Sequence, residues 1–225
     1  MNSVCSLDNI SFAYADTPVI SHASLDIFSQ EFVALIGDNG AGKSTLMNLI
    51  LGNLHPSKGD ISLFGDPIIQ CNHHQDIAYV SQNSVLGYRN FPTTIKELVN
   101  IHRSFLHVTT DVVDLLKMVQ LEDHVNKGLS ELSGGQLQRV GILLALLKNA
   151  KLILLDEPTS GIDKKFSKEL YELLRNLTLQ GKTVVLITHH LHELSAYVDR
   201  VVRLEKGQLT EVSAHLWKEE VDVCA

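Results

Sequence analysis

The chain has 225 residues, enough for one large domain or one domain carrying a helical insert. Its formal charge of -7 and the lack of any dense Lys/Arg run exclude nucleic acid as the main partner, since binding along a phosphate backbone leaves a basic face. Cys5, Cys71 and Cys224 lie far apart with no CxxC pair, which argues against a disulfide framework or zinc knuckle and for free thiols in a reducing cytosol. The polar start, Met1 to Ser11, carries no apolar signal segment. No apolar run approaches the ~20 residues of a membrane helix, so any link to a membrane is expected to come through another subunit.

In chain order, Cys5 to Ile27 reads as an antiparallel strand pair. Phe32-Val33-Ala34-Leu35-Ile36 follows as a short, wholly apolar run, the pattern of a strand covered on both faces in an α/β sheet. A glycine-rich loop then opens an apolar helix with Leu46, Leu49 and Ile50. Ile77 to Ser81 is another strand. From about Asn90 to Leu147 the pattern is mainly helical, with Val112, Val113, Leu115, Leu116 and Val119 in one amphipathic segment and Leu137, Val140, Leu144 and Leu147 on one face of another. This stretch reads as a helical insert between two parts of one sheet. Leu152 to Leu155 and Val184 to Ile187 are again buried strands, separated by a helix with Phe166, Leu170, Leu173, Leu174 and Leu177 on one face. Val201 to Val212, turned at Lys206-Gly207, closes the chain as a second antiparallel pair.

Gly37-Asp38-Asn39-Gly40-Ala41-Gly42-Lys43-Ser44 fits G-x-x-x-x-G-K-[ST] between a strand and a helix, the context a phosphate-binding loop requires. Glycines let the backbone wrap closely so that N–H groups converge on an anion, and the helix N-terminus adds its partial positive charge. Lys43 is expected to reach the β- and γ-phosphates of a nucleoside triphosphate, and the Ser44 hydroxyl to ligate Mg²⁺. Further on, the buried run 152–155 meets Asp156-Glu157. Two carboxylates at such a strand end are costly unless a cation or polarised water is near. Because successive strand side chains point opposite ways, they can take different tasks: Asp156 to hold Mg²⁺, Glu157 to orient and polarise an attacking water.

Between these sites stands Leu132-Ser133-Gly134-Gly135-Gln136, followed by Leu137-Gln138-Arg139-Val140. This resembles the signature motif of the ABC ATPase family. Other family motifs match in order over nearly the whole chain: Tyr14 where an aromatic stacks on adenine, Gln82 as the glutamine loop, Ser160-Gly161-Ile162-Asp163 as the D-loop, and His189 as the switch histidine at the γ-phosphate. The resemblance implies an α/β fold: a P-loop NTPase (RecA-like) core with a mixed, mainly parallel sheet, an antiparallel β subdomain, and a helical insert carrying the signature. The whole chain would form one ATPase domain, with 1–89 and 148–225 as the core and 90–147 as the helical subdomain. ATP and Mg²⁺ are the implied cofactors. ATP contacts would come from Tyr14, Gly37, Asn39, Gly40, Gly42, Lys43, Ser44 and Thr45, and from Ser133, Gly135 and Gln136 of a second, head-to-tail copy. Ser44, Gln82 and Asp156 would hold Mg²⁺; Glu157, His189 and Gln82 would serve hydrolysis. The implied location is cytoplasmic, on the inner face of the membrane beneath integral-membrane permease subunits.

The chain departs from the family pattern twice. His190 follows the switch histidine where Asp is common, and Leu143-Leu144-Ala145 stands where Ala-Arg-Ala is common. Neither change removes a hydrolytic group. Phe91-Pro92-Thr93-Thr94-Ile95-Lys96-Glu97 resembles the ATPases of zinc and manganese uptake systems, which implies an extracytoplasmic metal-binding protein in the same system. The same residues also read as a plain helix start, with Pro92 restricting Phe91 and Thr94 as the cap. Service to another importer or an exporter, or a nucleotide-gated regulatory role in envelope machinery, are the alternatives. The histidines, His73-His74 and His189-His190-His192 among them, supply no convincing four-ligand metal set.

Overall fold

The computed structural model describes residues 2–71, 73–81, 87, 90–109, 111–189 and 191–213. Gln82, His190 and Cys224 lie outside the described residues, and so do several residues of the stretch between Gln82 and Phe91. Two sheets organise the rest. Strands β1 (Ser3–Tyr14) and β2 (Thr17–Phe28) form the expected antiparallel hairpin. The sheet is extended on the β1 side by β4 (Lys58–Leu63) and β5 (Asp66–Pro67), in the order β2-β1-β4-β5. The second sheet runs β10-β9-β3-β8-β7-β6. In it β3 (Phe32–Ile36), β6 (Ile77–Val80), β7 (Leu152–Asp156), β8 (Thr183–Ile187) and β9 (Arg200–Glu205) are parallel, and β10 (Gln208–Val212) turns back against β9.

The apolar runs of β3, β7 and β8 are buried at every residue because each sheet face meets a different core. Val33, Leu35, Leu152, Leu154, Val185 and Ile187 point into one core, shared with Leu7, Ile10 and Ile61 of the antiparallel sheet and with Leu46, Leu49 and Ile50 of helix α1 (Lys43–Ile50). The alternate residues Phe32, Ala34, Ile153, Leu155, Val184 and Leu186 join the helical side. That side comprises α2 (Ile95–Leu106), α3 (Val112–Met118), α4 (Gly134–Leu147) and α5 (Lys164–Leu179), with the short α6 (Leu191–Leu194) near the end.

The predicted helical faces hold with local adjustments. Val113 turns out to solvent at 51% exposure, because α3 offers its other side, Leu116 with the following Val119, to the core. Leu144 is only partly buried whereas Leu143 is fully buried, so the inward stripe of α4 is wider than the predicted one. Between 90 and 147 the described residues form no named strand, though Thr94 and Gly128 make an isolated bridge.

Parallel pairing puts the carboxyl ends of β3, β8 and β7 along one edge of the sheet. Leu35 pairs with Ile187, and Asp156 with Ile187 in the next ladder, so the loops after these strands open side by side. In open α/β sheets this edge is where ligands bind.

Candidate functional site

At the end of β3 the loop 37–42 leads straight into α1. Gly37 has no room for a side chain: a Cβ there would fall 2.3 Å from the Leu204 carbonyl oxygen of β9. Gly42, the residue that caps α1, is left-handed at φ 102°, and a Cβ would meet Val19 Cγ1 at 2.7 Å. The loop is thus pressed between the two sheets by contacts only glycine permits. No side chain caps α1. Its first internal bond is from Leu46 N–H to Gly42 O, which leaves the N–H groups of Lys43, Ser44 and Thr45 ahead of the ladder, aimed where an anion would sit. Asn39 and Gly40 form the exposed crest.

The Lys43 side chain is buried and folds back over the loop, its Nζ donating to Gly37 O at 2.7 Å and Asp38 O at 2.9 Å. An ammonium has three donors, so one remains for a ligand. From the first turn of α1, Ser44 Oγ donates to Asp156 Oδ2 at 2.7 Å, tying the loop to the end of β7. Burial pushes the Asp156 carboxyl above the usual carboxylate range, against the downward pull of the Ser44 hydroxyl, and the neighbouring Glu157 charge adds to the rise. Burial and then the charge of Asp156 push the Tyr79 phenol up to about 12. A hydroxyl and a buried carboxylate side by side are hard oxygen donors of the kind that suits Mg²⁺, an ion bound through few protein ligands and several waters.

The raised Asp156 value has a definite consequence for stability. A carboxyl that titrates higher in the folded than in the unfolded chain favours folding below its unfolded value of about 3.9, and that benefit is lost as pH rises through the folded value. At neutral pH the ionised group therefore opposes folding of the chain without nucleotide or Mg²⁺. Asp156→Asn keeps an oxygen for the Ser44 hydroxyl and is expected to raise Tm at pH 7. The difference from wild type should shrink toward pH 4. Calorimetry of both proteins across this range checks it, and a lower Tm at pH 7 would contradict the assigned burial cost.

Glu157 follows directly with φ 49°, a left-handed backbone unusual for a side chain of this size. Its N–H donates to Ile187 O at 3.1 Å, binding the turn after β7 to the end of β8. Its Oε1 lies 3.2 Å from His189 Nδ1, the carboxylate mostly buried and the imidazole half exposed. Lys43, Ser44, Asp156, Glu157 and His189 are thereby brought to one sheet edge. A strained carboxylate beside an accessible imidazole, close to an anion cradle, can order a water and contact a phosphate. Tyr14, at the end of β1, is half exposed and leans edge-on against Phe12 with ring centroids 4.9 Å apart, which leaves a ring face for a planar ligand.

The signature residues gather elsewhere, around the D-loop. Ser133 caps α4 through a reciprocal pair, its Oγ accepting from Gln136 N–H at 3.2 Å while Gln136 Oε1 accepts from Ser133 N–H at 3.0 Å. Gly135 lies so close to the Gly161 carbonyl that a Cβ would approach it to 3.1 Å. Arg139 Nη2 donates to Asp163 Oδ2 at 2.9 Å, and its guanidinium stacks 3.8 Å from the Phe166 ring centroid. Asp163 in turn caps α5 by accepting from Phe166 N–H. Arg139 follows the motif in the chain, but only a partner 24 residues away reveals its work. The Phe91 to Glu97 pattern resolves into a helix start: Thr94 caps α2, with Glu97 Oε2 accepting from Thr94 N–H at 2.8 Å and from Thr93 Oγ1 at 3.1 Å.

The family model for ABC transporters matches residues 20–160, spanning the phosphate loop, the signature and both acids. The chain belongs to this family. The ABC ATPase is 38% identical over 218 residues to the high-affinity zinc uptake system ATP-binding protein ZnuC of Bacillus subtilis, covering 92% of this chain and 93% of that one. It is 35% identical over 225 residues to the zinc uptake system ATP-binding protein ZurA of Listeria innocua, with 96% and 88% covered. To the manganese transport system ATP-binding protein MntB of Listeria monocytogenes it is 33% identical over 209 residues, with 89% and 86% covered. Among solved structures, cbiO1 from Clostridium perfringens, part of an ABC transporter complex, superposes with a TM-score of 0.83 at 25% identity, over all of this chain and 94% of that one. The chain is accordingly an ATP-binding and hydrolysing subunit of an ABC transporter, with the expected α/β fold. No helix among the described residues is long and apolar enough to cross a membrane.

Proposed function

We propose that this ABC ATPase powers uptake of zinc or manganese through a partner permease, as one of two identical copies that close head to tail over two ATP molecules. The observation that carries the hydrolytic part is the convergence of Lys43, the Ser44–Asp156 pair and the Glu157–His189 pair on one sheet edge. The cargo is inferred from the zinc and manganese relatives, since the Phe91 to Glu97 pattern is also what a well-capped helix requires.

In this reading the N–H groups of the loop 37–45 cradle the phosphates, with Gly37, Asn39, Gly40 and Gly42 shaping the turn. Lys43 bonds the β- and γ-phosphates. Ser44 and Asp156 hold Mg²⁺ together with Gln82; the ion neutralises phosphate charge when bound. Glu157 takes the proton of the attacking water and His189 holds the γ-phosphate. Tyr14 stacks on adenine, and Ser133, Gly135 and Gln136 cover the ATP of the second copy. Residues 90–147 act as a helical subdomain on a core of 1–89 and 148–225. The permease is gripped around Gln82 to Leu98, where Phe91 is exposed. The chain works at the cytoplasmic face of the membrane, and an extracytoplasmic metal-binding protein delivers the cargo.

Cells lacking this chain, grown with scarce metal and without a redundant uptake system, are expected to lose zinc or manganese selectively by elemental analysis. The wild-type gene should restore the metal, and the Lys43→Ala form should not. Unchanged metal content would discard the cargo while leaving ATP hydrolysis intact.

A further inference from the structure

Tyr171, in the middle of α5, is fully buried among Phe166, Leu170 and Leu174, where a phenylalanine would pack as well. Its hydroxyl is therefore the part that needs explaining, since burying an unpaired hydroxyl is costly. The hydroxyl lies 3.3 Å from Thr159 Oγ1; burial raises the phenol's pKa, and the Thr159 and Thr188 side chains oppose that rise. Both threonines are buried, Thr159 at 8% and Thr188 at 2% exposure. Thr159 stands two residues after Glu157, across Pro158, and Thr188 directly precedes His189. One phenol thus bonds the segment that carries Glu157 and shares its buried surroundings with the residue that precedes His189.

Glu157 gives this contact its meaning. Its positive φ is unfavourable for a glutamate, and a following proline restricts the residue further. Such a conformation persists only where the surroundings over-determine it. On its amino side the turn is held by Glu157 N–H to Ile187 O. Beyond Pro158 it is closed by Ser160 N–H donating to Glu157 O at 3.2 Å, and Thr159, inside that closure, is held by Tyr171.

We propose that Tyr171 is a positioning residue for ATP hydrolysis: its hydroxyl anchors Thr159 and so keeps the Glu157 carboxylate at its working separation from the His189 imidazole. The proposal rests on the reading of Glu157 and His189 as the hydrolytic pair. Tyr171 touches neither nucleotide nor water in this role; it acts through Thr159.

The test is Tyr171→Phe, which keeps the ring and removes the hydroxyl, measured as kcat per nucleotide-binding chain, KM for ATP and Tm. A displaced catalytic group is expected to lower kcat about tenfold while KM stays within about twofold. Thr159→Val should reproduce the loss, Thr159→Ser should retain wild-type kcat, and the Tyr171→Phe/Thr159→Val double variant should be no slower than either single one. A purely structural tyrosine would lower Tm and leave kcat per folded chain unchanged, and that result would overturn the proposal. So would equal losses in Thr159→Ser and Thr159→Val. Glu157→Gln is assayed alongside: an inactive Glu157→Gln with a fully active Tyr171→Phe sinks the clamp alone. Normal turnover in Glu157→Gln removes the hydrolytic reading and the clamp with it.

Discussion

Replacing Glu157 with glutamine is expected to lower steady-state ATP hydrolysis by about 10²–10⁴-fold, the range general-base removal covers, while ATP binding survives. The substitution keeps the size and the N–H bond to Ile187 O that fixes the turn, so the change falls on one oxygen. The carboxylate's Oε1 faces His189 Nδ1 at 3.2 Å. An amide cannot take a proton from water, so the γ-phosphate stays and the closed pair cannot reopen. Phosphate release and size-exclusion chromatography with ATP should therefore change together, with turnover lost and a dimer retained. Ordinary turnover in this variant would remove Glu157 from the chemistry.

Lys43→Ala is expected to weaken ATP binding by about 10²-fold, from the loss of charge-assisted hydrogen bonds worth roughly 1.5–3 kcal/mol to the phosphates. The ammonium is buried and already anchored by Gly37 O and Asp38 O, so in the proposed site it would meet a nucleotide without having to be recruited from solvent. Truncation also frees those two carbonyls and loosens the loop from within. Calorimetric titration with ATP measures the effect directly. Affinity within twofold of wild type would remove Lys43 from the phosphate site.

Much of this was legible in the chain because the decisive elements are local. The runs at β3, β7 and β8 declare themselves by burying both faces, and the phosphate loop is one contiguous motif whose flanking strand and helix are readable beside it. Strand β4 escaped because Lys58-Gly59-Asp60 is polar and exposed, and only pairing with β1, some fifty residues earlier, makes it a strand. Val113 misled because apolarity marks a face only once its neighbours are known. In the site, the Ser44–Asp156 bond joins residues 112 positions apart, which the sequence linked only through the Mg²⁺ each was expected to hold. The left-handed backbone of Glu157 has no local signal at all; it is imposed by what β8 and α5 place around it. Tyr171 was hidden for the opposite reason, since on an apolar helix face a tyrosine reads as packing.

The common sheet edge also governs how the site can fail. Asp156 is the last residue of a ladder whose partner, Ile187, ends the strand beside it, and these strands form the centre of both cores. Amides in such positions open to solvent only when the whole molecule does, whereas termini and peripheral loops fray at far lower free energy. Fluctuations short of global unfolding therefore leave Asp156 paired with Ile187, while Glu157 and His189, just past the strand ends, depend on the contacts of their turns. On heating, the Asp156–Ile187 pairing and the fold should be lost in one step.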